Sequence, residues 1–233
     1  MPDLASAFVY YVVFLLSTTL HEAGHAWAAK LGGDLTAYHG GQVSLDPRPH
    51  IRREPFGMVV LPILTVLVSG WPMGFASAPF DPMWALRHPK RAGWMALAGP
   101  AANLVLVLIA TIGLRAGMAA GVFSAPASIG FDHLVATDAD AWAGVAFFLS
   151  VVFSLNLLLA SFNLIPLPPL DGSSAIPVLL NERAADRYQH FLLTNGQMFA
   201  MVGMLAAWRL FDFIFNPIFV TAINLLHWGR HYG

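Results

Sequence analysis

Residues 21–25 read HEAGH. On a helix, side chains four positions apart stack on one face, so His21 and His25 can grip a single ion between them. His-Glu-x-x-His is the pattern in which two imidazoles bind zinc and the glutamate acts as base on a water at the open coordination position. The chemistry it could do is therefore metal-assisted hydrolysis, with Glu22 as the catalytic residue. The chain has nine histidines in 233 residues and fewer glutamates, so the pattern arises by chance in roughly one such chain in two hundred.

A catalytic zinc takes a third protein ligand, and with no cysteine in the chain a carboxylate is the next resort. Asp3, Asp34, Asp46, Glu54 and Asp81 lie in polar flanks or loops. Asp132, Asp138 and Asp140 share one acidic loop, Glu182 and Asp186 neighbour arginines, and Asp212 follows Arg209 by three positions. Asp171 stands apart: no charged residue separates it from Asp140, and it follows the proline-rich break NLIPLPPLDG at the end of an apolar span. Irregular backbone at membrane depth is tolerated where protein buries it or where it lines a cavity, and such a loop can deliver a carboxylate to His21 and His25. The competing reading of Asp171 is a plain surface turn, LDGS, and that of the HEAGH residues is hydrogen bonding to neighbouring helices. Ionisable groups inside a span are costly and usually functional, which favours the metal.

The elements that must position these residues are apolar helices. The chain is 57% hydrophobic and 11% charged, about half the charged share of a soluble domain. Several uncharged runs approach the roughly 20 residues that cross a hydrocarbon core. The expected fold is an all-α polytopic membrane protein with about five to six transmembrane segments, a re-entrant segment and a short β element. A first helix spans 4–30, stopped by Gly32 and Gly33. It is kept rather than cleaved as a signal, since MPDL lacks a positive n-region. Further spans are expected near 93–118, 141–162, 191–210 and 215–228. Residues 56–80 are apolar but broken by Pro62, Gly70, Pro72, Gly74 and Pro79, poor material for one straight helix. GGQVSL, in the loop between, alternates as a short strand would. No linker or repeat divides the chain, so residues 1–233 are expected to form a single transmembrane domain. The net charge of −1 argues against a nucleic-acid partner.

Charge tests the ligand assignment. His21 and His25 lie near the C-terminal end of the first span and Asp171 just beyond that of 141–162, so both ends must face one side. They do so if 56–80 re-enters rather than crosses. Basic residues tend to stay cytoplasmic, and re-entry leaves Lys30, Arg48, Arg52, Arg53, Arg87, Lys90, Arg91, Arg183, Arg187 and Arg230 inside, with Arg115 and Arg209 outside. The expectation is five spans plus a re-entrant segment, N-terminus outside, C-terminus inside, and the site toward the cytosol.

HEAGH in a first span, LAGPAANL at 97–104 and NLIPLPPLDG after a later span together resemble the site-2 protease family of intramembrane zinc metalloproteases. The likeness extends to a compact prokaryotic subgroup with a GRxxLNPxxHxDPxG stretch; this chain reads GGQVSLDPRPHIRREPFG there, with Gly41 for Arg and Asp46 for Asn. The resemblance implies one Zn²⁺, an integral multi-pass protein of a prokaryotic membrane, and cleavage of transmembrane protein substrates within or near their spans in the lipid bilayer. No PDZ, CBS or other soluble module is expected.

Under that reading Zn²⁺ is held by His21, His25 and Asp171, with Glu22 moving the proton of the attacking water to the leaving amine. Asn163 and Asn103 are candidates to hydrogen-bond the substrate or oxyanion, with interhelical bonding the alternative for both. The broken 56–80 segment could offer an edge to an extended substrate, and the polar stretch LTNGQM at 193–198 could gate access. Gly99 and its alanine neighbours are expected to let helices approach closely. His39, His50, His88, His190, His227 and His231 are expected to be solvated. Other function classes fitting a membrane metal cluster are a metal transporter, a structural metal-binding protein, or an inactive relative that binds helices without cutting them. A transporter would need ligands along a path through both leaflets, and an inactive relative would not need Glu22.

Overall fold

A computed structural model describes residues 3–232. In chain order the helices are α1 (Leu4–Gly32), α2 (Thr36–His39), α3 (Pro47–Arg53), α4 (Leu61–Ser69), entered through a π-helical turn at Phe56–Val60, α5 (Pro82–Arg87), α6 (Pro89–Ala119), α7 (Asp140–Asn163), α8 (Asp171–Ala175), continued by a 3-10 turn at Ile176–Leu179, and α9 (Glu182–Leu226). Four of them, α1, α6, α7 and α9, are long and apolar enough to cross a membrane. The boundaries follow local chemistry. Asp3 caps α1 by accepting from the Ser6 N–H at 2.8 Å, and Gly33 ends it in the left-handed region at φ 96°, where a Cβ is disfavoured.

Contacts between termini set the directions. The Trp84 indole and the Arg91 guanidinium both donate to the Gly32 carbonyl, at 3.0 and 3.2 Å, so α6 starts where α1 ends. At the other end, the Tyr10 hydroxyl donates to Asp132 in the α6–α7 loop at 2.9 Å. Arg115 near the end of α6 donates to the carbonyl of Leu226, the last residue of α9, at 3.1 Å. Successive long helices therefore alternate in direction. The end of α1, the start of α6, the end of α7 and the start of α9 share one end of the bundle. The interior between them is apolar, around Val13, Phe14, Leu114, Phe153 and Leu155.

Two expectations are corrected here. The separate spans at 191–210 and 215–228 are one continuous helix, α9, of 45 residues. Arg209, Asp212 and Pro217 suggested a break, but Phe211, Phe215 and Phe219 stack along one face with centroids 5.1 and 5.4 Å apart, and this ladder carries the helix past the proline. At about 68 Å, α9 is far longer than a bilayer core is thick. As a consequence the expected opposite placement of the chain ends gives way as well: α9 finishes beside Arg115 and Leu134, at the end of the bundle where α1 begins.

Residues 54–80 leave and rejoin the opposite end. Ser77 donates to Glu54 at 2.6 Å, which joins the outgoing and returning chains, and Phe75 N–H donates to Gly57 C=O at 3.1 Å. Between them the chain descends through α4 and turns at Gly70. Trp71 then packs on Tyr10 and on Phe131 of the far loop, at centroid separations of 5.9 and 4.1 Å.

The expected β element is absent among the described residues: GGQVSL forms turns and bends, and only isolated bridges, Ser124–Ala136 and Gly130–His133, occur. The polar groups of this loop are used locally. Gln42 is buried with its amide donating to Ser77 C=O, and Asp46 caps α3. Two histidines expected in solvent are instead buried: His50 bonds to Ser44 C=O and His227 to Leu134 C=O.

Candidate metal centre

His21, Glu22 and His25 lie in the C-terminal half of α1, all three buried. They face α6 at a place where α6 has no side chain: a Cβ on Gly99 would meet the Nε2 atoms of both imidazoles. The small residues of LAGPAANL thus serve the histidines as well as helix packing, since Gly24 of α1 sits against the Ala98 carbonyl one residue away.

Each imidazole is fixed from behind. His21 Nδ1 lies 2.6 Å from Asn103 Oδ1 and His25 Nδ1 lies 2.7 Å from the Met95 carbonyl. A carbonyl oxygen only accepts, so Met95 makes His25 Nδ1 the protonated nitrogen. Asn103 makes the same demand of His21, because its amide group is committed elsewhere, donating to Asn156 Oδ1 at 2.8 Å. Asn156 in turn donates to Ser17 Oγ at 2.9 Å. Whenever a ring is neutral, its Nε2 lone pair is therefore the one that faces forward.

Asp171 reaches the same point from the α7–α8 loop. The turn that carries it is held by Ser173, whose N–H and hydroxyl both donate to Leu170 C=O, and by Tyr188 of α9, which donates to Ser173 C=O at 2.9 Å. Gly172 packs so close to the Leu164 carbonyl that a side chain has no space there. Asp171 Oδ2 comes to rest 3.1 Å from His21 Nε2 and 3.3 Å from His25 Nε2, and the two Nε2 atoms are 3.0 Å apart.

Three potential ligand atoms thus face one another. Such an arrangement is repulsive unless a metal ion, or a proton on one imidazole, sits among them. Ligand atoms about 2.0–2.2 Å from a tetrahedral zinc are about 3.3–3.6 Å from each other, within a few tenths of an ångström of the separations seen, so the residues fit that ion. Among the described residues these are the ones whose His and carboxylate groups cluster tightly enough to hold a metal.

The cluster opens into a cavity of about 280 Å³ lined also by Glu22, Asn163, Gln189 and the extended residues 76–78. Asn163 stands at its wall with its amide donating back to Leu159 C=O at 3.0 Å. Asn103 does not line it; it is fully buried behind His21. Sequence reasoning had not singled out Asn156, Ser17 or Gln189. For Asn156 a signal existed: an amide in the middle of an apolar span must find a partner.

An apolar helical bundle with a buried His-His-carboxylate cluster and a glutamate beside it defines a membrane-embedded zinc metalloprotease. The chain belongs to peptidase family M50, the site-2 protease family, whose model matches residues 9–205. It is 34% identical over 171 residues to the "Putative zinc metalloprotease YwhC" of Bacillus subtilis (strain 168), covering 72% of this chain and 68% of that protein. It is 30% identical over 211 residues to the "Putative zinc metalloprotease Rip2" of Mycobacterium tuberculosis (strain Erdman), covering 88% of this chain and 72% of that one. No solved structure matches the chain significantly.

Proposed function

We propose that this intramembrane zinc protease binds its ion through His21, His25 and Asp171, and cuts transmembrane protein substrates within or near their spans with Glu22 as the base. The observation that carries the reading is the set of three facing lone pairs beside a buried glutamate. Zinc, when bound, supplies Lewis acidity toward the scissile carbonyl. Glu22, on the cavity wall, accepts the proton of the attacking water and passes it to the leaving nitrogen. Asn163 is placed on the same wall to donate to the developing oxyanion. Asn103 is assigned a positioning role through His21, because both ends of its amide are already engaged. One transmembrane domain, residues 1–233, carries all of these groups.

A substrate must be extended to be cut, since helical carbonyls are already bonded. Ala76 and Ala78 have peptide groups without hydrogen-bond partners among the described residues, so residues 76–80 can accept a substrate strand along their edge. We assign 54–80 as a re-entrant segment: its two ends join at Ser77–Glu54 and its tip rests on Tyr10. Basic residues at 48–53, 87–91 and 183–187 gather at the active-site end, against Arg115 and Arg230 at the other, so the site is assigned to the cytosolic side. Both chain ends then fall outside.

Substituting Glu22→Gln in purified protein tests the mechanism. Zinc content is expected to stay at the wild-type level while cleavage falls about 10²–10⁴-fold. A variant that cuts as fast as wild type would remove Glu22 from the chemistry.

A further inference from the structure

Gln189 has no part in the chemistry above, yet its carboxamide is held at the edge of the catalytic cavity with nothing to bond. It is 4% exposed, and its Oε1 is buried and accepts no hydrogen bond from the described residues. Buried polar atoms are paired in the great majority of cases, and an exception asks for an explanation. The surroundings give one. Gln189 lines the cavity that holds His21, Glu22 and Asp171, and also a second groove of about 370 Å³ along α9. Phe80, Pro169 and Ser174 are the other residues common to both, so the two spaces meet at Gln189. The groove continues over Leu192, Leu193, Gly196 and Ala200, which recur at helical spacing on one face of α9. The polar LTNGQM stretch therefore borders a channel leading from the metal centre.

We propose that Gln189 is a substrate-binding residue whose carboxamide pairs with the main chain of the unwound substrate where it passes from the catalytic cavity into the groove along α9. A glutamine amide presents one acceptor and two donors, the complement of a peptide group's N–H and C=O, so it holds backbone without reading side chains. Ala76 and Ala78, on the same cavity, offer unpaired backbone of their own. An extended substrate is thus bonded by the edge of 76–80 and by Gln189. Beyond it, the face of Leu192, Leu193, Gly196 and Ala200 takes the apolar side chains of a membrane span, with Gln197 beside it. Gln189 is held in place through its neighbour: Tyr188 is tied to Ser173 C=O, two residues from Asp171.

The inference rests on the proteolytic reading, and the experiment separates the two. Full-length protein is reconstituted in vesicles with synthetic apolar peptides of about 25 residues, long enough to span, each with a helix-breaking centre. The probe is the member cut fastest by wild type and left intact by Glu22→Gln. Gln189→Ala is expected to raise KM about tenfold, the worth of one or two hydrogen bonds, with kcat within about twofold and zinc content unchanged. The probe is then remade with single peptide N–H groups near the cut replaced by ester oxygens. In wild type the replacements that remove a bonded N–H are expected to raise KM by a similar factor, and in Gln189→Ala one of them should cost nothing further. If no ester position affects wild type, or if every ester loss multiplies with the Gln189→Ala loss, Gln189 does not bind the substrate backbone. Gln189→Met, which keeps the side chain's length without its amide, gives the same reading if Gln189→Ala fails to fold. Peptides cut equally by Glu22→Gln, or left uncut by the zinc-loaded wild type, would overturn the underlying reading instead.

Discussion

Gly99→Ala adds one methyl group and aims it at the metal centre. The new Cβ would lie 2.6 Å from His21 Nε2 and closer still to His25 Nε2, against an ordinary contact of 3.4 Å or more. The imidazoles or the helices must therefore give by at least about 0.8 Å, several times the roughly 0.2 Å within which zinc–ligand distances are held. The rings have no free direction in which to retreat, because Asn103 and the Met95 carbonyl fix them from behind. Overpacking of this kind costs about 1–3 kcal/mol. If most of it falls on the ion-bound state, zinc affinity drops about 5- to 150-fold. Chelator-competition titration of purified full-length protein measures this directly. Gly144→Ala is the control, a helical glycine with nothing within 4 Å of its added Cβ, and it should bind zinc as wild type does. Gly99→Ala with an affinity within about twofold of wild type would refute both the clearance argument and the placement of the ion at His21 and His25.

The other expectations concern the groups around that point. Asn103→Ala removes the acceptor that orients His21 and should weaken zinc about 10–100-fold; Asn103→Asp, which keeps an acceptor there, should recover most of it in the same titration. Stripping zinc with a chelator should abolish cleavage and lower the thermal unfolding temperature, because the free energy of binding the ion to the folded state is lost. Added zinc should restore both, and a chelated protein that still cut would exclude the metal. At the far end of the bundle, burial pushes the His227 imidazole below its ordinary value, and the charges of Arg230 and Arg115 add to this. A histidine lowered on folding stabilises fully above about pH 6.5, its unfolded value, and loses that contribution as pH falls through the folded one. Thermal unfolding at pH 7.5 and 5.5 should accordingly show a larger acid loss in wild type than in His227→Gln.

Local signals made the candidate metal cluster legible. HEAGH has helical spacing, and Asp171 is the one acid isolated by apolar sequence and preceded by a helix-breaking run. Each needs only the chain around it to be recognised. What escaped depends on neighbours remote in sequence. Asn103 reads from sequence as either an oxyanion donor or an interhelical bond, and the position of His21, 82 residues away, shows its amide already committed. His50 and His227 sit in polar stretches and are buried only because Ser44 and Leu134 carbonyls meet them. Arg209, Asp212 and Pro217 carry the usual marks of a helix end, and the Phe211–Phe215–Phe219 ladder that overrides them gains its partners from Phe162 and Phe131. Tertiary packing outweighed propensity there, as it often does.

The groups that hold the centre from behind and those that face the cavity are paired differently. On the side facing the protein, His21 Nδ1, His25 Nδ1, Asn103, Asn156 and Ser17 form bonded chains in an apolar interior, where leaving any of them unpaired would cost about 1–3 kcal/mol. On the side facing the cavity, the Nε2 lone pairs, the Asp171 carboxylate, Gln189 Oε1 and the peptide groups of Ala76 and Ala78 lack protein donors or acceptors suited to them. A sequence selected for stability alone would pair or remove the second set as it has the first. The division implies that the missing partners come from outside the chain: a cation for the lone pairs and an extended peptide for the amides. The two needs meet in one space, which is the arrangement a protease acting on membrane helices requires, since the peptide must be held extended at the place where the ion can reach its carbonyl.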